Sequence, residues 1–590
     1  MKVSDYIAAF LAKEGVHKAF VLTGGCAVHI IDSIAKQEGI DYVAVQHEQG
    51  GAMAADAYAR ISGDLGVAVV TSGPGATNLL TGVCCSYYDS IPVLLITGQV
   101  PKGQLKGKSE SRQIGFQETD VVSIYESVTK YAKLVDDPAM VRYELEKAVY
   151  IARQGRQGPV LLDICDDIQR EEIEPENLDQ FDASDFLETS DDNFSKIIDV
   201  IELINKAERP VAIVGGGVRS RNTIKKLHDI LQEYAIPYTL TWAAMDYYSH
   251  DNELYVGGFG VTSGRPGNFA VQNADLILAI GTRLDTHEVG SNIKTFARAA
   301  KKITVDIDIS EQTKYAELGM HVDVLVNSDS SMFVDLLKSN SETIERKDRQ
   351  QWINKITEWK ERYPICLDEY KEQPKNVNPY VFMKELSFQS NAETVVVTDC
   401  GSNLIWTMQG FSVNEGQRLV SAFNHSPMGY SLPASIGAKL ADPARKVVCI
   451  TGDGGLQINI QEFATIAYNQ IDIKIFVLNN HGYGIIQGTQ DAWLEGRHHA
   501  SDTGFGLPDP DFLKIAEAYG IESVPPIRNH NELSDRVDAV LNSKGPTLCV
   551  VELESGSQIM PKLLFGRPIE DSHPLLPREE FEENMIVEII

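Results

Sequence analysis

The stretch from Gly452 to Asn480 holds residue types that suit cation and anion binding together. It opens Gly452-Asp453-Gly454-Gly455 and closes Asn479-Asn480. Asp453 and Asn480 offer hard oxygen ligands, which suit magnesium or calcium better than zinc. Glycines at 452, 454 and 455 let backbone N–H groups approach a phosphate. Alone, GDGG reads equally well as a tight turn. The flanks say how the residues are held. KVVCITGDGG is an apolar run of strand type that breaks at glycines, and IKIFVLNN is a second run ending in two amides. Between them, LQINIQEFATIAYNQ has helical apolar spacing, with Leu456, Ile460, Phe463 and Ala467 on one face. The pattern predicts strand, helix, strand, with the polar residues at the carboxyl ends of both strands. Open parallel sheets bind ligands there.

Holding such residues requires a larger α/β frame. Residues 1–185 alternate patterns: helix 3–14, strand HKAFVLTGG, helix 27–37, strand DYVAVQHE, helix 50–61, strand GVAVVTS, helix 76–86, strand PVLLITG. That alternation predicts a parallel sheet. Residues 168–190 are acidic and pattern-poor and read as a linker. RPVAIVGGGVRSR begins a second unit, 191–340. Its glycines and arginines could cradle a diphosphate, though GGG is also a plain strand–helix turn. A charged helix and connector, 341–375, leads to a third unit, 376–560, and then to a polar, proline-broken acidic tail, 561–590. The expected fold class is α/β, three consecutive doubly wound parallel-sheet domains. The first and third share a plan of β/α units with a glycine signal at a helix start.

Bulk composition narrows the function. The chain has 590 residues, 43% hydrophobic and 23% charged, which is ordinary for a globular protein. A net charge of −30 disfavours nucleic acid and anionic membranes as partners. The 8 cysteines form no CxxC, as expected of thiols in a reducing cytosol. No apolar run approaches about 20 residues, and MKVSDYIAAFLAKEG is an amphipathic helix without a cleavage site. A cytoplasmic protein is expected.

Gly-Asp-Gly followed by Asn-Asn at this separation resembles the signature of thiamin diphosphate enzymes. The resemblance implies that Asp453, Asn480 and the backbone carbonyl of Gly482 hold a magnesium ion and, through it, the diphosphate. Gly452, Gly454, Gly455, Tyr483, Gly484 and Ile485 would surround them. QHEQGGAMAADAYARISGDLGVAVVTSGPGATN is similar to the acetolactate-synthase branch, of the large catalytic subunit type. There Glu48 would bond the aminopyrimidine ring and favour the tautomer that removes the thiazolium C2 proton. Standing alone, such an HE pair reads as a surface pair. Pro74 and Asn78, in SGPGATN, would line the same pocket or cap a helix. Gly24-Gly25-Cys26 would aim backbone N–H groups at the substrate oxygen, so Gly25 and Cys26 are site candidates. Phe116 and Gln117 match the substrate-facing pair. Gly401, Ser402 and Asn403 match diphosphate contacts, and Met428 matches the wedge beneath the cofactor.

Departures from that branch also carry information. His29 stands where an aliphatic residue is usual, so a structural histidine and a proton shuttle are both open. Cys165-Asp166-Asp167 replaces Pro-Lys-Asp and removes a basic residue. Gly488 and Thr489 stand where a Trp narrows the acceptor pocket, which implies a wider or more polar one, with Ile485, Gln487 and Gln490 as further candidates.

The resemblance makes the three domains pyrimidine-binding (1–185), central (191–340) and diphosphate-binding (376–560). In the central domain it implies FAD or another nucleotide at Gly215, Gly216, Gly217, Arg283, Asp285 and Asp308. His287 replaces an Arg there, and Arg265 is an added cation. A homodimer or dimer of dimers with shared sites is implied. The implied activity is decarboxylation of a 2-keto acid, pyruvate above all, and transfer of the two-carbon unit to a second carbonyl, a 2-keto acid or a keto sugar. The tail is similar to members from surface-polysaccharide and branched deoxysugar pathways. Rival readings are a decarboxylase or 2-hydroxyacyl lyase releasing an aldehyde, and a flavin oxidoreductase. A catalytically inactive regulatory protein is a third, and it predicts loss of Glu48, Asp453 or Asn480, all of which are present.

Overall fold

Three parallel sheets carry the chain. The computed structural model describes residues 1–186, 193–373 and 375–590; the linker's end at 187–190, the start of the second unit at 191–192, and Pro374 of the connector lie outside the described residues. The first sheet contains β1 (Lys18–Leu22), β2 (Asp41–Ala44), β3 (Gly66–Val70), β4 (Val93–Gln99), β5 (Tyr131–Val135) and β6 (Val160–Cys165), in the order 2-1-3-4-6-5. The second contains β7 (Pro210–Val214), β8 (Tyr238–Leu240), β9 (Leu276–Ile280), β10 (Lys301–Asp306) and β11 (Val324–Asn327), in the order 11-10-9-7-8. The third contains β12 (Thr394–Thr398), β13 (Arg418–Val420), β14 (Lys446–Gly452), β15 (Ile473–Asn479), β16 (Glu522–Ser523) and β17 (Thr547–Glu552), in the order 13-12-14-15-17-16. Strand for strand, the third order repeats the first. The shared plan therefore extends to the whole topology of both sheets. Fully buried strands such as GVAVV and TVVVT, rich in β-branched residues, suit a sheet covered by helices on both faces.

The expected single helix between β14 and β15 is two. One spans Asp453–Ile458 and the other Glu462–Asn469. Asn459 breaks the run: it is 1% exposed, and its Nδ2 donates to the Gly429 carbonyl at 2.8 Å. A buried side-chain amide needs a partner, and here the partner lies off the helix axis. Leu456 and Phe463 still fall on the buried side.

The first and third domains join through the helices Glu48–Ser62 and Ser431–Ala441. Both are rich in alanine and glycine, so their backbones approach closely. A Cβ on Gly437 would lie 1.9 Å from the Ala54 carbonyl oxygen. Beside this contact Asp56 is fully buried, and it accepts from Arg60 Nε at 2.7 Å, Ser86 Oγ at 2.9 Å and Tyr430 Oη at 2.5 Å. Arg60 also meets Asp89 at 2.8 Å, and Asp89 accepts the N–H groups of Phe423 and Asn424. The buried charges are thus paired within the first domain, and the third domain adds neutral donors, Tyr430 Oη and the Phe423 and Asn424 amides, to the two carboxylates.

The tail is a strap on the central domain. Arg265 donates to the carbonyls of Ser572 and Pro574, so this added cation anchors the tail. Ile569 and Phe581 complete an apolar cluster with Phe269, Trp352 and Trp359. Among the described residues, no helix is long and apolar enough to cross a membrane.

Gly437→Ala should destabilise the protein by about 1–3 kcal/mol, because a methyl group would overlap a backbone carbonyl. A urea midpoint unchanged from wild type would mean that the two helices do not meet this way.

Candidate active site

One cluster of polar residues lies at the carboxyl edge of the first sheet. Glu48 opens its helix and is 7% exposed. Asn78, on the helix Pro74–Asp89, donates from Nδ2 to Glu48 Oε2 at 2.9 Å. The other carboxylate oxygen faces Gly75, 3.7 Å from where a Cβ would stand. Pro74 takes the first helical position, where its missing N–H is harmless. Thr71 touches both Gly75 and Gly24, and its Oγ1 accepts the Cys26 N–H at 3.2 Å. The turn Gly24-Gly25-Cys26 therefore sits beside Glu48. One turn further, His29 Nε2 is 3.8 Å from Asp166 Oδ1. The two departures read from the sequence face each other.

Gln117 adopts a left-handed backbone, φ 65°, unusual outside glycine. Its carbonyl presses on the turn before Pro74, 2.8 Å from where a Cβ on Gly73 would lie. Glu118 holds this loop in shape. Its carboxylate accepts the N–H groups of Lys106, of Ile114 at 2.8 Å and of Gly115 at 3.3 Å. Burial opposes its charge, but these three donors hold the carboxyl below the usual range. Phe116 is left 84% exposed beside it.

A second cluster lies where β14 and β15 end. The Asn480 side-chain oxygen faces Asp453 Oδ1 at 3.2 Å and the Gly482 carbonyl oxygen at 3.0 Å. Turned over, the amide would donate to both. That orientation satisfies both neighbours; oxygen-first, the amide would join the carboxylate and the carbonyl as a third oxygen donor. That is the donor set of a hard divalent cation, and a bound cation would keep the amide oxygen-first. Burial pushes the Asp453 carboxyl up to about 6.

The surrounding floor is glycine because nothing larger fits. A Cβ on Gly454 would lie 2.2 Å from the Tyr483 ring and 3.2 Å from Met428 Cε; on Gly484, it would lie 2.6 Å from Asn480 Nδ2 and 3.4 Å from Ser402 Oγ. Gly452 lies against Asn403, whose Nδ2 donates to the Cys400 carbonyl at 2.8 Å. Gly401, at φ 81°, turns the chain into the helix that carries Ser402 and Asn403. Asp399 ties these parts together. It accepts from Gly429 N at 2.9 Å, Ser431 Oγ at 2.9 Å and Thr451 Oγ1 at 3.2 Å, which fixes the residue after Met428. Burial raises its carboxyl above the ordinary range. The only sequence signal for it was its place at a strand end before a glycine.

A cavity of about 1050 Å³ lies between the central domain and its neighbours. Gly216, Gly217, Arg283 and Asp285 are in its wall, and so are Gly401 and Ile485 of the second cluster. Gly215 and Gly217 have their N–H groups bonded to the carbonyls of Ile280 and Gly281, both at 2.9 Å. The glycines let those two turns pack. Asp308 caps the following helix and pairs with Arg156 at 2.7 Å. His287 packs on Trp242, ring centroids 4.0 Å apart, and its Nε2 meets Thr262 Oγ1 at 2.8 Å. Arg219, also in the wall, donates to the Asp89 carbonyl and has no ion-pair partner among the described residues. It is one of the arginines of RPVAIVGGGVRSR expected from the sequence to be able to cradle a diphosphate.

Comparison with known proteins agrees along the chain. The family described as thiamine pyrophosphate enzyme, N-terminal TPP binding domain, matches residues 1–124; the central domain of the same family matches 197–330, and its C-terminal TPP binding domain matches 399–551. The acetolactate synthase large subunit of Cyanidium caldarium is 33% identical over 555 residues, 92% of each chain. That of Lactococcus lactis subsp. lactis (strain IL1403) is 31% identical over 584 residues, 98% of this chain and 97% of the relative. Acetolactate synthase isozyme 2 large subunit of Escherichia coli (strain K12) is 31% identical over 569 residues, 95% and 97%.

Asp453→Ala should weaken divalent-cation binding at least tenfold, read as manganese binding by electron paramagnetic resonance, with an unchanged circular dichroism spectrum. Manganese affinity equal to wild type would remove Asp453 from the ligand set.

Proposed function

Since the chain belongs to the thiamine pyrophosphate enzymes, of the acetolactate synthase type, we propose that it decarboxylates a 2-keto acid, pyruvate in the first instance, and joins the two-carbon unit to a second carbonyl, a 2-keto acid or a keto sugar. The observation that carries the reading is the meeting of the Asp453 carboxylate, the Asn480 amide and the Gly482 carbonyl, 3.0–3.2 Å apart, on a side-chain-free glycine floor. These residues fit a magnesium ion holding a diphosphate. Gly401, Ser402, Asn403, Gly452, Gly454, Gly455 and Gly484 would flank the diphosphate, and Met428, Tyr483 and Ile485 would lie against the rest of the cofactor. When bound, thiamin diphosphate supplies the electron sink for loss of carbon dioxide.

The chain's own residues do the rest. Glu48 holds or moves a proton at the carboxylate oxygen facing Gly75, while Asn78 pins the other oxygen. The Cys26 amide is engaged by Thr71, so backbone polarisation of a substrate oxygen falls to Gly25. Phe116 and Gln117 crowd the reacting group and exclude water. His29, oriented by Asp166, stands one turn away and can serve the acceptor side.

We propose that two copies pair so that the first-domain cluster of one faces the third-domain cluster of the other. Apolar side chains on the single chain support this: Phe116, Ile458 and Val28 are 84%, 46% and 42% exposed beside the two clusters. The large cavity has the volume and the Arg219 and Arg283 cations for FAD or another nucleotide diphosphate.

Glu48→Gln should lower turnover by about 10²–10⁴-fold while the cofactor stays bound, since it removes the proton-handling group. Turnover above a few per cent of wild type would end that assignment. Pyruvate consumption against a panel of aldehydes, keto acids and keto sugars, with product masses, identifies the acceptor; aldehyde release alone would replace carboligation by decarboxylation. Purified protein should absorb near the flavin bands if FAD occupies the cavity, and a colourless protein would exclude it.

A further inference from the structure

A carboxylate that the mechanism leaves unused lies behind Glu48. Glu462 heads the helix Glu462–Asn469 of the third domain and is fully buried. Its Oε1 accepts the backbone N–H of Gln46 at 3.1 Å and of His47 at 3.1 Å, the two residues that lead into Glu48. Its Oε2 accepts the Thr465 hydroxyl at 2.7 Å. Among the described residues it has no ion-pair partner, and burial pushes its carboxyl up to about 7. Gly50 closes over it from the other side: a Cβ there would lie 2.8 Å from Oε1. A buried carboxylate without a cation is costly and persists only where its hydrogen bonds are needed. These bonds reach across a domain boundary to the turn that sets where Glu48 leaves the sheet.

We propose that Glu462 is a positioning residue for the reaction, and that Gly50 exists to admit its carboxylate. By gripping both amides of the Gln46–His47 turn, it fixes the height and direction of Glu48. It acts through the backbone and touches no substrate. The proposal rests on the reading of Glu48 as the proton-handling group.

The test uses full-length enzyme with thiamin diphosphate and magnesium, and hydrogen exchange with and without both. In Glu462→Ala, kcat for pyruvate consumption should fall by about tenfold to a hundredfold with KM moved less than about threefold, as for a small misplacement of a reacting group. The amides of residues 46–47 should exchange about tenfold faster or more, with or without cofactor. Glu462→Gln keeps an acceptor oxygen and should restore both kcat and protection to within about threefold. Gly50→Ala should reproduce the faster exchange with the carboxylate untouched, and it carries the test if Glu462→Ala does not fold. Unchanged exchange at 46–47 in either alanine variant would overturn the proposal. So would wild-type kcat in Glu462→Ala, or a Glu462→Gln variant as slow as alanine despite intact protection. If Glu48→Gln is inactive while Glu462→Ala behaves as wild type, only this inference fails. If Glu48→Gln turns over normally, the reading of the site fails with it.

Discussion

Everything in this chain depends on how closely two small-residue helices approach. The helix that begins with Glu48 lies on the helix Ser431–Ala441 with backbone against backbone, since Gly437 has no side chain to hold Ala54 away. Such contact gains dispersion energy only while it is tight, so it has one good geometry. The buried Asp56 and Asp89 lock that geometry, because Asp56 loses the Tyr430 hydroxyl and Asp89 the Phe423 and Asn424 amides if the domains slide. The Glu48 carboxylate thus takes its position from domain packing. Its helix is at once the joint between domains and the support for the chemistry.

The second cluster obeys a different constraint. Asp453, Asn480 and the Gly482 carbonyl come from two strand ends, and they converge because β14 and β15 are neighbours in register. With its nitrogen turned toward them, the Asn480 amide donates to both the Gly482 carbonyl and Asp453 Oδ1. The protein keeps this arrangement by burying it on glycine and by anchoring the adjacent turns to Asp399. The first cluster is held rigid by packing, whereas the second is held by the turns that follow two neighbouring strands.

How legible was this in the sequence? Glycine, Asp453 and the Asn-Asn pair were readable because their chemistry is local: strand ends, turns and hard ligands follow from neighbours along the chain. The repeated sheet plan was readable for the same reason, from alternating periods. Asp56 in an alanine-rich helix gave no hint of its network, since its partners Ser86 and Tyr430 are remote in sequence. Glu462 fell inside the single helix expected over LQINIQEFATIAYNQ and carried no signal of its own. The glycines at 215–217 read as a phosphate cradle or a plain strand–helix turn; that the Gly215 and Gly217 N–H groups meet Ile280 and Gly281 was not legible, because that contact joins strands remote in sequence. The helical period from 456 to 467 was right in its buried face and wrong in its continuity, because Asn459 answers to a carbonyl in another element.

The tail carries one more implication. Ile569 and Phe581 seal the apolar cluster around Phe269 and Trp359, and Glu570 and Asn584 bond inside the same face. On the ribosome, the central domain is made long before those residues, with an entire further domain translated in between. Its greasy flank stays open throughout that interval, so the middle of the molecule is finished by residues that emerge only after a whole further domain.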